Sequence, residues 1–163
     1  MRSIRTERAS SGRWAAGTSN AGQPAQPVED ATVLAVTAEW HVARARTAAW
    51  RVTELMGFSR TLAAYVVTAV SELATNLFFH ATNGGTITLF RHQRDGRSGI
   101  TVVAEDDGPG IPDIQQALLD GFTTNRGLGG GLPGIQRLMD EVEIESRVGA
   151  GTQVICRKWS PCS

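Results

Sequence analysis

The chain has 163 residues, the length of one domain with a tail, and its 41% hydrophobic residues are enough to form a core. Lys and Arg together number 16, as do Asp and Glu, and this formal charge of zero argues against a surface that binds nucleic acid. The only lysine, Lys158, lies near the end of the chain and follows no glycine, which excludes a P-loop and a eukaryotic-type protein kinase.

The first 28 residues are rich in Arg, Ser, Gly, Ala and Pro and contain few large apolar side chains. This composition predicts a flexible, disordered tail, followed by a single domain over residues 29–163. The longest apolar run, Leu62 to Val70, is far shorter than the roughly 20 residues that span a bilayer, and the N-terminus lacks the apolar core of a secretory signal. Cys156 and Cys162 are predicted to be free thiols, so we expect a cytoplasmic protein without a membrane segment.

The first half of the domain is predicted to be a strand followed by two helices. The β-branched, apolar run Thr32–Val36 predicts the strand. A helix is predicted over residues 38–56, with Thr37 as the candidate N-cap, because the apolar residues recur at helical spacing. Ser59 is expected to cap a second helix that ends near Ala81.

The second half is predicted to contain two hairpins with two short helices between them. The predicted strands cover residues 86–91, 100–105, 143–147 and 153–158, with a turn over 93–99, and the predicted helices cover residues 113–120 and 133–140. The resulting order β-α-α-β-β-α-α-β-β predicts an α/β (α+β) two-layer sandwich. Its sheet is expected to be mixed and mostly antiparallel, with helices on one face.

A first motif lies on the second predicted helix, where Glu72 and Asn76 are four residues apart and therefore share one helix face. An apolar stripe runs beside them, and a carboxylate next to such a stripe is costly unless it is used or paired. Taken alone the pair is weak evidence, because polar residues at this spacing are common on solvated faces.

A second motif, Asp106-Asp107-Gly108-Pro109-Gly110-Ile111, follows an apolar strand. A carboxylate at a strand end, followed by two glycines, can lie at the mouth of a pocket where a flat ligand approaches the backbone. Taken alone, these residues are better explained by an ordinary Asp-Gly turn after a strand.

A third motif is the glycine-rich run from Gly127 to Gly134, which directly precedes a predicted helix. Such a run can present backbone N–H groups and a helix N-terminus to phosphates. It also contains the spacing G-x-G-x-x-G, but it does not follow a strand, so a dinucleotide-binding Rossmann fold is disfavoured.

The order of these motifs, completed by Gly151-Thr152 at the start of the last strand, resembles the N, G1, G2 and G3 boxes of the GHKL ATPase superfamily. The resemblance implies the Bergerat-type, histidine-kinase-like fold. The chain is too short for the gyrase, Hsp90 and MutL branches and has no phosphoacceptor-histidine helix. Residues 105–114, 120–124 and 129–141 resemble the RsbT-type serine/threonine kinases of the anti-sigma regulatory branch.

This resemblance implies ATP and Mg²⁺ as cofactors and assigns a role to each motif. It implies that Glu72 is the general base, that Asn76 is the Mg²⁺ ligand, and that Asp106 accepts a hydrogen bond from the adenine amino group while Thr152 supports the adenine. Residues 111–132 would form a lid over the ATP. The remaining implied nucleotide-binding residues are Gly108, Gly110, Ile111, Gly127, Leu128, Gly129, Gly130, Gly131 and Leu132.

The activity implied by the resemblance is that of a serine/threonine kinase in a bacterial stress-response, partner-switching module similar to the stressosome. Its implied partners are STAS-domain substrate or scaffold proteins and a PP2C-type phosphatase. The alternative is an anti-sigma factor of the SpoIIAB/RsbW type, which binds and inhibits a sigma subunit. The sequence leaves open whether the free apolar surface serves a homo-oligomer or a partner.

Overall fold

The computed structural model describes residues 31–94, 96–119 and 130–161. The predicted N-terminal tail, Cys162 and the loop residues Gly127, Leu128 and Gly129 lie outside these ranges. The order of elements matches the one predicted from the sequence: β1 (Thr32–Val36), α1 (Glu39–Leu55), α2 (Arg60–His80), β2 (Gly85–Arg94), β3 (Arg97–Asp106), α3 (Ile114–Ala117), α4 (Gly131–Leu138), β4 (Glu141–Arg147) and β5 (Gly151–Trp159).

The five described strands form one sheet in the order β1-β2-β3-β5-β4, and every neighbouring pair is antiparallel. The register places Ile87, Ala104, Val154 and Ile144 side by side across four strands. All four side chains are buried, because this face of the sheet lies under the helices. The predicted two-layer α/β sandwich is therefore confirmed, with a sheet that is entirely antiparallel in the described residues.

Helix α2 is the central helix of the covering layer, and it packs against α1, α4 and strands β1 to β3. Its inward residues Val66, Val70 and Leu73 are almost completely buried. By length and composition alone, α2 is also the one helix in the described residues that could cross a membrane. A core helix meets the same criteria, and burial of one face against a sheet is what a core helix shows.

The N-terminus of α1 differs from the prediction, because Ala38 rather than Thr37 is the N-cap residue. Alanine has no side-chain acceptor for the N–H groups of the first turn, and His41, three residues after the cap, instead supplies the reciprocal half of a capping box. His41 Nδ1 accepts hydrogen bonds from the backbone N–H groups of Thr37 and Ala38, each at 3.1 Å. The predicted cap of α2 is confirmed, since Ser59 Oγ accepts from Leu62 N at 3.3 Å.

Three segments differ in extent from the prediction. The turn expected over residues 93–99 is shorter, because β2 and β3 remain paired as far as Arg94 and Arg97. Helix α4, expected from Pro133, begins at Gly131, inside the glycine-rich run. Helix α3 is shorter than predicted and is capped by the Asp113 carboxylate, which accepts from Gln116 N at 2.9 Å.

Lys158 lies near the C-terminal end of β5 and is only 9% exposed. Its Nζ is 2.8 Å from the Asp140 carboxylate and 5.3 Å from the centre of the Tyr65 ring. This cluster joins β5 to α2 and to the residue before β4. Thr152, at the other end of β5, is six positions away in the chain, which is about 20 Å along an extended strand.

Candidate functional site

A cavity of about 350 Å³ lies between α2, the loop after β3, the first residues of α4 and one end of the sheet. Two further walls of this cavity are apolar, with Ala104 and Val154 on the sheet and Leu73 on α2. Eight of the residues predicted from the motifs line it together: Glu72, Asn76, Asp106, Gly110, Ile111, Gly131, Leu132 and Thr152. The three motifs, which are separated by up to 60 residues in the chain, therefore form one site.

The sheet end of the cavity is built around Asp106, the last residue of β3. Its Oδ1 accepts a hydrogen bond from Gly108 N at 2.8 Å, and the N–H of Thr152 also donates to this carboxylate. Burial raises the pKa of Asp106 above 3.8, although these two N–H groups and His80 act in the opposite direction. Because a carboxylate has about four acceptor positions, Asp106 can accept a further hydrogen bond from a ligand.

The loop after Asp106 passes so close to the β4–β5 turn that it needs glycine. Gly110 has a φ of +73°, and a Cβ at this position would run into the carbonyl oxygen of Arg147. The approach is held by a hydrogen bond of 2.8 Å from Gly149 N to Pro109 O. Gly108, the other predicted glycine, is buried beside the Asp106 carboxylate.

Ser146 on β4 belongs to the same end of the sheet, and the motif analysis missed it. Its Oγ lies 2.8 Å from Thr152 Oγ1, 3.1 Å from the carbonyl oxygen of Gly151 and 2.8 Å from Ile111 N. One signal in the sequence could have found it: alternation along β4 places Ser146 on the buried face of Val142 and Ile144, where an apolar residue is expected.

The helix end of the cavity is built from α2 and the start of α4. Glu72 is only 4% exposed, and its Oε2 accepts a hydrogen bond from Gly131 N at 3.2 Å. Gly130 directly precedes α4 with a φ of +79°, a conformation that suits glycine. The buried carboxylate of Glu72 is thus held at the N-terminus of α4.

Asn76 lies one helical turn after Glu72 and also lines the cavity. Within residues 31–94, 96–119 and 130–161, no hydrogen bond uses its side-chain amide. In the same described residues, no group of three or more His, Cys, Asp or Glu side chains could form a metal site. An amide oxygen is a ligand that Mg²⁺ accepts, and this cation needs only one or two protein ligands when phosphates supply others.

The two ends of the cavity have complementary chemistry. The sheet end offers a carboxylate and hydroxyl groups above an apolar wall, and this combination fits a flat base with an exocyclic amino group. The helix end offers a helix N-terminus and an amide oxygen, and this combination fits phosphates with a divalent cation.

The chain is similar to known proteins over most of its length. Residues 34–158 match the family model described as "Histidine kinase-like ATPase domain". Serine/threonine-protein kinase RsbT of Bacillus subtilis is 40% identical over 132 residues, which cover 81% of this chain and 98% of that protein. Anti-sigma F factor of Caldanaerobacter subterraneus is 39% identical over 99 residues, which cover 58% of this chain and 68% of that protein.

Among solved structures, the mycobacterial sensor histidine kinase MprB is similar with a TM-score of 0.46 and 20% identity. The similarity covers 62% of this chain and 74% of that chain.

Proposed function

We propose that this chain, which belongs to the histidine kinase-like ATPase family and within it to the RsbT-type serine/threonine-protein kinases, transfers the γ-phosphoryl group of ATP to a hydroxyl of a partner protein. The observation that carries the proposal is the position of Glu72. This buried carboxylate lies at the helix end of the cavity, one turn from Asn76, while the sheet end is suited to adenine.

Selection of adenine is assigned to Asp106. The adenine amino group donates a hydrogen bond to the carboxylate, whereas guanine presents a carbonyl oxygen at the same position and would be repelled. Thr152, which pairs with Asp106 in the sheet register, lies beside it and supports the same edge of the base.

The phosphates are assigned to the N-terminus of α4, where the N–H of Gly131 is directed at Glu72. Asn76 would hold Mg²⁺, and this cation supplies charge neutralisation for the phosphates. Gly127, Leu128 and Gly129 lie outside the described residues, so their contribution to the phosphate loop and to the lid stays a prediction.

Glu72 is proposed to act as the general base. Its carboxylate takes the proton of a serine or threonine hydroxyl while the hydroxyl oxygen attacks the γ-phosphorus. The bond between the γ-phosphorus and the oxygen bridging it to the β-phosphate breaks, and ADP leaves. The hydrogen bond from Gly131 N fixes the orientation of this carboxylate. It keeps the group beside the N-terminus of α4, where the phosphates are proposed to bind.

The partners are proposed from the similarity to RsbT, which extends over 98% of that protein. We assign STAS-domain proteins as the phosphoryl acceptors and a PP2C-type phosphatase as a second partner, in a stress-response module of the cytoplasm. A second candidate function is supported by the anti-sigma F factors, which are 39% identical over a smaller part of the chain. In that case the main activity is to bind and inhibit a sigma subunit.

One experiment separates the two candidates. The purified chain is incubated with γ-labelled ATP, Mg²⁺ and each STAS-domain protein encoded in the same genome, and phosphoserine and phosphothreonine are measured. In parallel, the immobilised chain is exposed to each sigma factor of that genome in the presence of ATP or ADP. Labelling of a STAS-domain protein supports the kinase. No labelling together with nucleotide-dependent retention of a sigma factor would establish the anti-sigma function instead.

A further inference from the structure

Ser146 occupies the centre of a hydrogen-bond cluster that the kinase assignment does not explain. It stands on the helix-covered face of the sheet, directly opposite Thr152 in the β4–β5 register, while Thr152 in turn stands opposite Asp106. The three side chains therefore form one row across β4, β5 and β3 at the sheet end of the cavity.

The number of donors and acceptors in this cluster restricts the Thr152 hydroxyl to one orientation. Ile111 N can only donate to Ser146 Oγ, and the carbonyl oxygen of Gly151 can only accept from it. A serine hydroxyl has a single hydrogen, and here the Gly151 carbonyl uses it. All three hydrogen bonds of Ser146 form together only if Thr152 is the donor in the 2.8 Å contact between the two hydroxyls.

A Thr152 hydroxyl whose hydrogen is committed to Ser146 presents only lone pairs to the cavity. We propose that Ser146 determines base specificity by holding Thr152 as a hydrogen-bond acceptor, so that two acceptors, Thr152 and Asp106, face the amino edge of adenine. This inference rests on the proposed ATP site. Ser146 acts through Thr152 and is therefore a positioning residue.

A base with a carbonyl group in place of the adenine amino group has no donor for this pair of acceptors. Inosine triphosphate is the most suitable probe, because it differs from ATP at this edge and carries the same ribose and triphosphate. Loss of the Ser146 hydroxyl would release the hydrogen of Thr152, which could then donate to the carbonyl oxygen of hypoxanthine. The preference for ATP over inosine triphosphate should therefore fall.

The test compares the Kd of both nucleotides, with Mg²⁺, for the full chain and for Ser146→Ala. We expect the ratio of the two Kd values to fall about three- to tenfold, the effect of one ordinary hydrogen bond. Ser146→Thr keeps the hydroxyl and should keep the ratio. Ser160→Ala should also leave the ratio unchanged. Ser160 follows the end of β5 opposite to Thr152, where its hydroxyl accepts the N–H of Ser98 at 3.0 Å.

A double-mutant cycle shows whether Ser146 acts through Thr152. In the Thr152→Val background, where no hydroxyl is left to orient, Ser146→Ala should not change the ratio further. An unchanged ratio in Ser146→Ala, or an equal change in both backgrounds, overturns the inference and leaves the kinase proposal intact. Wild-type protein that binds neither nucleotide overturns both. Should Ser146→Ala fail to fold, Ser146→Cys carries the same expectation, because a thiol is a weak donor and a weak acceptor.

Discussion

The two ends of the cavity are built in different ways. At the sheet end, Asp106, Thr152 and Ser146 are neighbours because antiparallel register places them opposite one another, and they are joined by hydrogen bonds to each other or to the adjacent backbone. At the helix end, Glu72 and Gly131 are 59 residues apart in the chain and meet only because α2 packs against α4. Register fixes the first arrangement, and tertiary packing fixes the second.

This difference has a functional meaning. If a base binds at the sheet end, as proposed, the side chains there are already hydrogen-bonded and need no rearrangement, so we expect them to contribute to binding affinity. At the helix end, the side-chain amide of Asn76 has no hydrogen bond among the described residues, and in our proposal Mg²⁺ binds there. We therefore expect changes at the sheet end to alter affinity and changes at the helix end to alter the rate of phosphoryl transfer.

The largest effect is expected for Glu72→Gln. If this substitution altered the affinity for ATP, the distinction drawn between the two ends of the cavity would be wrong. Glutamine keeps an acceptor for Gly131 N but cannot take the hydroxyl proton, so the rate of transfer should fall about 10²- to 10⁴-fold while the Kd of ATP changes little. Single-turnover transfer and isothermal titration measure the two quantities separately. A large rise in Kd with unchanged transfer at saturating ATP would show that Glu72 is structural.

The next effect concerns the close approach of the loop after β3 to the β4–β5 turn. Gly110→Ala should lower the free energy of unfolding by about 2–4 kcal/mol, because its Cβ would overlap the Arg147 carbonyl and its φ is positive. Gly149→Ala is the matched control, since Gly149 has a φ of +77° with no atom within 4 Å of an added Cβ. It should cost only about 1 kcal/mol. Urea unfolding measures the free energy of unfolding of both variants. Equal losses would show that the close approach to the Arg147 carbonyl is not what requires glycine at position 110.

Asp106→Asn should weaken ATP binding about 10- to 100-fold, because a hydrogen bond to a charged acceptor is replaced by one to a neutral amide that can also donate. The maximal transfer rate at saturating ATP should stay within a few-fold of wild type. The adjacent and exposed Asp107 provides the control: Asp107→Asn removes the same charge, and the Kd should hardly move. If both variants bind ATP as tightly as wild type, the adenine assignment is wrong.

The smallest effect is a dependence of ATP affinity on pH. Burial raises the pKa of Asp106 above 3.8, so on acidification this carboxylate is protonated earlier than an exposed aspartate. ATP binding favours the ionised form, and the affinity should therefore be highest above the raised pKa and fall as the pH decreases through it. Titrations between pH 7.5 and 4.5 with Asp106→Asn as reference isolate this component, since the ligand's own protonation affects both proteins. If the ATP affinities of the two proteins fall in parallel as the pH decreases, the assignment of Asp106 to adenine binding is contradicted.

Much of the fold and most of the site were predictable because their signals are local. The cap at Ser59, the alternation in the strands and the spacing of Glu72 and Asn76 depend on residues within one or two turns. The family predicted from the order of the motifs is confirmed by the match over residues 34–158 and by the identity to RsbT. The roles of the individual site residues remain predictions.

The features that the sequence did not predict depend on contacts between distant residues. Gly131, the first residue of α4, donates its N–H to Glu72, which is 59 residues away, and this contact cannot be inferred from the sequence around Gly131. The extension of the β2–β3 hairpin to Arg94 is an exception, because Arg94 and Arg97 are close in the chain; it was not predicted because the added residues are polar and continue beyond the apolar alternation that indicated the strands. Ser146 was missed because its partner Ile111 lies 35 residues away, although a polar residue on the buried face of β4 was a signal in the alternation of this strand.

The position of the chain's only lysine has a practical consequence for the study of this protein. Acyl-phosphate derivatives of ATP label kinases by acylating a lysine beside the bound nucleotide. Here the single lysine is mostly buried and is paired with the Asp140 carboxylate, and it contacts Tyr65, seven residues along α2 from Glu72. Where ATP binds at the proposed site, the burial and pairing of this amine should leave such reagents without a covalent label, so a proteome survey that relies on them would overlook this protein.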